Sequence, residues 1–330
     1  MKKHSSISFI TWLRACSVVF ILLCHYCSRC DHPFVPMLTM VFNIGVQLFF
    51  IMSGFLVGYK GIRKPYTAWY KKRIRRIYIP LWLFLTVLAC VHMANGRSLL
   101  SVHWLLLALG LQGTVVHIWG AEQTWFISVL LLCYLLSPWI LAGIRKVTSG
   151  SDIRVKRLSL AAVCAMPILW ALFEEAWVYT VFTPVSLYIL ACAYGACYDP
   201  EKPFSLRKNL MAVLVIALSF GLRLTAKVFF DDTIFYDRIV VQYTQSVAAI
   251  AIVSLFEAFF SRHRAPKAIQ FVSEVSFEIY LYHYMFVQGP IDVFGSVPNW
   301  GVGCIAVTAV VLPIAFLANR IAAALSGSNK

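Results

Sequence analysis

The sequence predicts an all-α integral membrane protein, built as a bundle of about ten transmembrane helices. The 330-residue chain is 60% hydrophobic, has a mean hydropathy of +0.76, and contains only 13% charged residues. A soluble domain of this size needs a larger polar shell, so most of the chain must face lipid or other buried helices. Because the polar connections are short, residues 1–330 are expected to form a single transmembrane domain without a soluble domain.

Ten apolar segments each come close to the roughly 20 residues that cross the hydrocarbon core as a helix. They lie near residues 7–28, 37–59, 77–94, 124–144, 158–175, 180–198, 209–229, 239–260, 270–289 and 300–323. An eleventh apolar segment, 99–111, is shorter than the others. We assign it to an external loop, 95–123, which is expected to contain a re-entrant or interfacial piece buried in protein.

The distribution of basic residues predicts the orientation of the chain. With a cytoplasmic N-terminus and ten spans, 23 of the 29 Lys and Arg residues lie on the cytoplasmic side, as the positive-inside rule requires. Counting 99–111 as a span would place the five basic residues of 145–157 outside. We therefore expect a multi-pass protein with both termini in the cytoplasm. Topology also explains the net charge of +15, so the expected partner is the lipid bilayer and not nucleic acid.

The cysteines give no sign of a metal site. Eight of the ten are scattered through apolar stretches, where cysteine behaves as a small buried hydrophobe. Cys27 and Cys30 form a C-x-x-C pair, but no second pair accompanies it, so no metal is expected. A disulfide between these two residues in an oxidising compartment stays open as an alternative.

Two ionisable side chains in the first span are the main candidates for function, because such groups are costly in hydrocarbon. Arg14 and His25 are 11 residues apart, which on a helix is about 16 Å of rise and about 20° beyond three full turns. Both therefore project from one face, with Arg14 in the cytoplasmic half and His25 near the outer end. The structural alternatives are a snorkelling arginine and a histidine at the membrane interface.

Polar residues of other spans extend this set. Glu278 and His283 lie deep in the segment 270–289, where we expect them to line an active cavity. Trp125 and Ser128 begin the span 124–144, and an interface anchor is the alternative explanation for this tryptophan. Glu278 and Arg14 lie at similar depth, so we hypothesise that the first and ninth spans are neighbours in which the two side chains pair or share one polar cavity.

Two further motifs have both a structural and a functional explanation. Ser53 precedes Gly54 and Gly58, which form the G-x-x-x-G pattern that lets helix backbones approach closely. Arg73 and Arg76 belong to a basic stretch that sets topology and attracts anionic lipid. Their guanidinium groups also match phosphate oxygens, so this stretch could equally bind a phosphorylated donor.

Five motifs follow one another along the chain: ITWLRA at 10–15 with Arg14-x10-His25, FFIMSGFL at 49–56, RIRRIYIP at 73–80, WFIS at 125–128 with YLLSP at 134–138, and SFEIYLYH at 276–283. Their order resembles the acyltransferase-3 family of bacterial membrane acyltransferases. Where many members carry a glutamate after the tryptophan-serine motif, this chain has Val129 and Leu130, and Glu122 is not an obvious substitute. This departure counts against the branch of the family that acylates lipopolysaccharide sugars or peptidoglycan. The smaller stand-alone members of the family fit better, because no fused extracytoplasmic catalytic domain is expected from this sequence.

The resemblance implies a membrane O-acyltransferase of the bacterial cytoplasmic membrane. Such an enzyme would move an acyl group, with acetyl expected, from cytoplasmic acyl-CoA (acetyl-CoA) to a hydroxyl group of an extracytoplasmic or lipid-linked polysaccharide. His25 would take the proton of the acceptor hydroxyl, or carry the acyl group in a covalent relay. Arg14 would orient the donor or stabilise developing negative charge, and Arg73 and Arg76 would bind the donor. The residues expected to line the cavity are Ser53, Trp125, Ser128, Glu278 and His283.

Two other classes of protein could use a similar bundle. A transporter or flippase for a lipid-linked glycan would also need intramembrane charges, but it should show paired halves or interrupted helices at matching positions. No such pairing is visible in the sequence. A scaffold subunit would not need Arg14 and His25 on one helix face.

Overall fold

The computed structural model describes residues 7–111, 118–150, 152–172, 181–201, 204–297 and 299–327, and in these ranges the regular structure is entirely helical. Lys2, Lys3, Lys330, and parts of the predicted external loop and fifth span (112–117 and 173–175) lie outside the described residues. The α-helices are α1 (Ser8–Cys27), α2 (Thr39–Phe42), α3 (Gly45–Lys60), α4 (Tyr66–Ala94), α5 (Val102–Ala108), α6 (Trp125–Ser149), α7 (Ile153–Leu172), α8 (Phe182–Ala196), α9 (Leu206–Phe230), α10 (Val241–Phe260), α11 (Lys267–Glu274), α12 (Ser276–Val287), α13 (Val293–Ser296) and α14 (Trp300–Leu325). Short 3₁₀ turns cover Pro36–Leu38 and Glu122–Thr124, and a π-helical turn covers Tyr236–Val240.

Seven helical stretches of the described chain are long and apolar enough to cross a membrane. They are Ser8–Cys27, Pro36–Lys60, Tyr66–Ala94, Glu122–Ser149, Leu206–Phe230, Tyr236–Phe260 and Trp300–Leu325. Each overlaps a predicted span, because an apolar run of 20 or more residues satisfies its backbone only as a helix in lipid. Large apolar side chains such as Leu218, Leu222 and Val228 on α9 are exposed on the surface, as expected of a lipid-facing helix. The prediction of an all-helical, multi-pass membrane protein is confirmed.

Within the residues that the structure describes, the other three predicted spans, 158–175, 180–198 and 270–289, do not form uninterrupted apolar helices long enough to cross a membrane. The number of ten spans therefore stays a prediction. α8 has 15 residues, and α7 carries three basic residues in its first two turns. The segment 270–289 is interrupted at Val275, where the hydroxyl of Ser276 donates to the carbonyl of Ser273 at 3.0 Å and α12 begins. α5 has seven residues, about 10 Å of rise, which is too short to cross a bilayer. Its placement as a re-entrant piece also stays a prediction.

α3 and α8 pack closely against each other, and three glycines make this close approach possible. A Cβ atom added at Gly54 would lie 2.3 Å from the carbonyl oxygen of Tyr188, and one at Gly58 would lie 2.0 Å from that of Cys192. On the other side of the contact, a Cβ at Gly195 would lie 2.2 Å from the carbonyl oxygen of Phe55. The G-x-x-x-G pattern therefore acts as a packing motif in this structure, which is the structural explanation of the two offered above.

α1 lies in the interior of the bundle, where it packs against α3, α10, α11 and α12. α12 in turn packs against α14 and α4. The predicted neighbourhood of the first and ninth spans is therefore present, and it brings the polar residues of α12 next to those of α1.

We predict that Gly58→Ala destabilises the protein, since the new methyl group would enter the space occupied by the Cys192 carbonyl. Overpacking of this kind costs about 1–3 kcal/mol. The expected result is a lower denaturation midpoint in detergent micelles than for the parent protein. Gly221→Ala on α9 is the matched control, because no atom lies within 4 Å of a Cβ added there. Equal stability of the two variants would contradict the packing role of Gly58.

Candidate active site

A cavity of about 210 Å³ lies at the C-terminal end of α1, and His25 forms part of its wall. Four separate parts of the chain contribute to it: α1, the α2–α3 junction, the 3₁₀ turn before α6, and α12. The residues that line it are Ile21, Cys24, His25, Phe42, Asn43, Gly45, Val46, Glu122, Gln123, Trp125, Tyr280 and Tyr284. The wall thus combines aromatic rings with a titratable histidine, a carboxylate and two amides, a composition suited to binding a polar ligand.

His25 is half-buried and has two aromatic neighbours on α12. Its ring centroid lies 5.0 Å from that of His283 and 5.3 Å from that of Tyr284, which it meets edge-on. His283 is completely buried behind it, with 0% of its surface exposed. The geometry therefore places two histidines side by side, of which only His25 lines the cavity.

Hydrogen bonds tie the 3₁₀ turn in the cavity wall to α12. Gln123 donates from Nε2 to the carbonyl oxygen of Leu281 at 2.6 Å, and the hydroxyl of Tyr280 donates to the carbonyl oxygen of Gln123. The side-chain oxygen of Gln123 is buried and has no hydrogen-bond partner among the described residues. This cavity residue is therefore held in place through its nitrogen and retains an acceptor atom for a ligand.

Glu122 is a cavity residue that the sequence argument set aside. It lies directly before the start of α6, and its Oε2 accepts a hydrogen bond from the backbone N–H of Gly120 at 2.8 Å. Gly120 has a φ of +89°, a conformation that favours glycine. The signal available in the sequence was an acidic residue three positions before Trp125, at the edge of a predicted span. Val129 and Leu130 have no carboxylate, but Glu122 contributes one to the cavity wall.

The other end of the same helix face carries a group of cations. Arg14, half-buried on α1, lies near enough to Arg73 and Arg76, in the first three turns of α4, for their like charges to repel one another. The guanidinium of Arg73 stacks over two rings, 5.1 Å from the centroid of Tyr134 and 5.4 Å from that of Trp69. Arg76 is exposed. The ion pairs found in the described part of the chain, Arg29–Asp292 and Lys227–Asp231, involve none of these three arginines.

Aromatic rings pack next to the cavity residues Val46 and Tyr280. Phe49 lies one helical turn further along α3 than Val46, and its ring centroid is 6.0 Å from that of Phe126. Phe126 also meets Tyr280 at 5.2 Å and Phe50 at 4.9 Å.

One of the remaining sequence-predicted residues lines the cavity. Trp125 lies in the cavity wall, whereas Ser53, Ser128 and Glu278 do not. Glu278, 3% exposed, accepts a hydrogen bond from Nδ2 of Asn319 at 3.0 Å and lies in the first turn of α12, where the helix dipole favours a negative charge. The first of the two arrangements expected for Glu278 and Arg14, an ion pair, does not occur among the described residues. Oε2 of Glu278 is buried there without a hydrogen-bond partner. The second arrangement, a shared polar cavity, stays a prediction.

The fold and the two regions define an integral membrane protein with a polar cavity at one end of an internal helix and a cationic group at the other. The chain belongs to the acyltransferase-3 family, whose sequence model, described as an acyltransferase domain, matches residues 7–319. It is therefore a membrane acyltransferase. Neither the comparison with curated proteins nor that with solved structures gives a match.

We predict that Glu278 couples to Asn319 and not to Arg14. Asn319→Leu removes the donor of a buried carboxylate and should cost about 1–3 kcal/mol of stability. In a double-mutant cycle with Glu278→Leu, measured by unfolding in mixed micelles, the coupling energy should reach about 0.5–3 kcal/mol. The matched cycle of Glu278→Leu with Arg14→Gln should be additive to within about 0.5 kcal/mol. The reverse ranking of the two couplings would restore the ion-pair hypothesis.

Proposed function

We propose that this protein transfers an acyl group, acetyl in the first instance, from cytoplasmic acyl-CoA to a hydroxyl group of an extracytoplasmic or lipid-linked polysaccharide. One observation carries the proposal: α1 runs without interruption from Arg14 to His25, with cations around the first residue and a cavity around the second. The rise between them, about 16 Å, is a distance that a donor with a long flexible arm can cross.

The arginine end suits the phosphates of coenzyme A. The exposed Arg76 can bind phosphate oxygens with its planar fork of N–H donors. Stacking on Trp69 and Tyr134 orients the guanidinium of Arg73. Arg14 lies deeper in the bundle, between this surface and the cavity. Its separation from His25 favours a role in orienting the donor over stabilisation of charge at the reacting carbonyl.

The His25 end suits a carbohydrate acceptor. Trp125 offers a ring face for the apolar side of a sugar, while Glu122, Gln123 and Asn43 offer partners for hydroxyl groups. The cavity, about 210 Å³, is smaller than the roughly 300–1,000 Å³ typical of pockets for drug-sized ligands. It would therefore admit the end of a glycan and not a long stretch of one.

The chemistry assigned to His25 is general base catalysis. His25 takes the proton of the acceptor hydroxyl while the oxygen attacks the thioester carbonyl carbon, the C–S bond breaks, and the proton passes to the departing thiolate. In the alternative, a ring nitrogen of His25 attacks the thioester carbonyl, the C–S bond breaks, and coenzyme A leaves as the thiolate. The acceptor hydroxyl then attacks the acyl-histidine, the N–C bond to His25 breaks, and the proton of the hydroxyl passes to the thiolate. Both routes need an unprotonated ring nitrogen of His25 facing the cavity.

This proposal includes a topology with ten spans, both termini in the cytoplasm, and residence in the cytoplasmic membrane of a bacterium. The basic residues at the start of α4 and α7 support it, because a common cytoplasmic side satisfies the positive-inside rule for both. Reporter fusions after Gly150 and after Gly96 should give a cytoplasmic and an external signal, respectively. An external signal after Gly150 would require a further span before α6 and would reverse the assignment.

We predict that His25→Ala abolishes acyl transfer from labelled acetyl-CoA to a glycan acceptor by the purified protein. Loss of a general base typically costs about 10²–10⁴-fold in rate. His103→Ala is the control, because His103 is an exposed histidine at the beginning of α5. Folding is checked by size exclusion in detergent. Transfer by His25→Ala at the rate of the parent would overturn the assignment of the base.

We predict that the double variant Arg73→Lys/Arg76→Lys binds coenzyme A more weakly than the parent. The charge is unchanged, so topology should be preserved, but a lysine point charge reproduces neither the phosphate fork nor the stacking on Trp69 and Tyr134. Isothermal titration with coenzyme A measures the change. Arg75→Lys, an exposed position on another face of α4, is the control and should bind like the parent. Unchanged affinity in the double variant would leave these arginines with a topological role alone.

A further inference from the structure

His283 is a fully buried histidine whose ring packs against that of the proposed base. It lies on α12, is 0% exposed, and does not line the cavity. Its ring centroid is 5.0 Å from that of His25, and the two ring planes are inclined at 46°. A polar ring in this position needs hydrogen-bond partners, because a buried polar atom without one is costly.

The backbone of α12 determines which nitrogen of His283 carries the proton. Nδ1 lies 2.7 Å from the carbonyl oxygen of Tyr280, one turn earlier on the same helix. A carbonyl oxygen can only accept a hydrogen bond, so the neutral ring is assigned the tautomer with the hydrogen on Nδ1. Nε2 is then a lone-pair acceptor.

That acceptor is unused within the described part of the protein. Nε2 of His283 is buried and has no hydrogen-bond partner there. The ring of His25 packs against that of His283, with the ring centroids 5.0 Å apart. Catalytic hydrogen bonds are often long in a ligand-free structure and shorten when substrate binds.

We propose that His283 is a positioning residue that fixes the tautomer and orientation of His25, a role that rests on the proposed function of His25 as base. Nε2 of His283 accepts a hydrogen bond from one ring nitrogen of His25. The other ring nitrogen of His25 is then unprotonated and faces the acceptor hydroxyl in the cavity. When His25 takes the proton of the hydroxyl it becomes an imidazolium, and the proton leaves with the thiolate, so His283 stays neutral throughout.

Additional contacts support the rigidity that this arrangement needs. Tyr280, whose carbonyl binds His283, is itself anchored by its hydroxyl to the backbone of Gln123 in the cavity wall. Tyr284 packs edge-on against both histidine rings, with centroid distances of 5.3 Å to His25 and 6.1 Å to His283. The chain of contacts therefore runs from the backbone of α12 through His283 to His25.

The kinetic test compares three replacements of His283 in the purified full-length protein. His283→Phe keeps a ring but removes the acceptor, and it should lower kcat about 10–100-fold, less than complete loss of a base, without changing KM for acetyl-CoA. His283→Gln places its side-chain oxygen near the position of Nε2 and should recover most of the rate. His283→Asn places its oxygen near Nδ1 instead, and it should not. Equal rates for the Gln and Asn variants, or an unchanged kcat in the Phe variant, would overturn the proposal.

A second measurement does not depend on acyl transfer. Diethyl pyrocarbonate acylates an unprotonated imidazole nitrogen, and peptide mass spectrometry reports the rate at His25 alone. We expect slower modification of His25 in His283→Phe than in the parent or in His283→Gln. If the parent transfers no acyl group but this difference appears, the proposed function fails while the positioning role stands. If the parent transfers but neither kcat nor the modification rate changes in His283→Phe, the positioning role fails alone.

A double variant separates positioning from a general structural effect. If His283 acts only through His25, adding His283→Phe to His25→Ala should not lower the residual rate further. A further drop in the double variant, or a lower kcat in His283→Phe with an unchanged rate of His25 modification, would show that His283 supports the fold and would overturn the proposal.

Discussion

The cost of placing a polar group in hydrocarbon is the constraint on which this structure depends. It forces the backbone into helices, and it requires each polar side chain within a span to find a partner or a cavity. Glu278 accepts a hydrogen bond from the amide of Asn319, and His283 donates one to a carbonyl of its own helix. His25 and Arg14 instead lie at the two ends of an internal helix face, one beside a cavity and the other beside further cations. In the ranges that the structure describes, no ion pair involves Arg14 or His25, which suits the ligand-binding roles proposed for them.

Close helix packing gives the site its position. At Gly54, Gly58 and Gly195, α3 and α8 approach so closely that only glycine fits, and α3 also packs against α1. α12 begins at an interruption in the chain near Val275 and lies along the other side of α1. The cavity forms where these elements meet the turn before α6, so no single helix contains it.

The sequence by itself determined the helical membrane class, the common face of Arg14 and His25, the packing motif in α3, and the family motifs, because all of these depend on composition or on spacing along one helix. It did not find Glu122 in the cavity, and it did not find the hydrogen bond between Asn319 and Glu278. Only the tertiary structure decided that Asn319 reaches Glu278 and that His283 stands behind His25. The physical reason is that depth along a helix can be read from spacing, whereas the neighbour across a helix interface depends on how all the helices pack and rotate against one another.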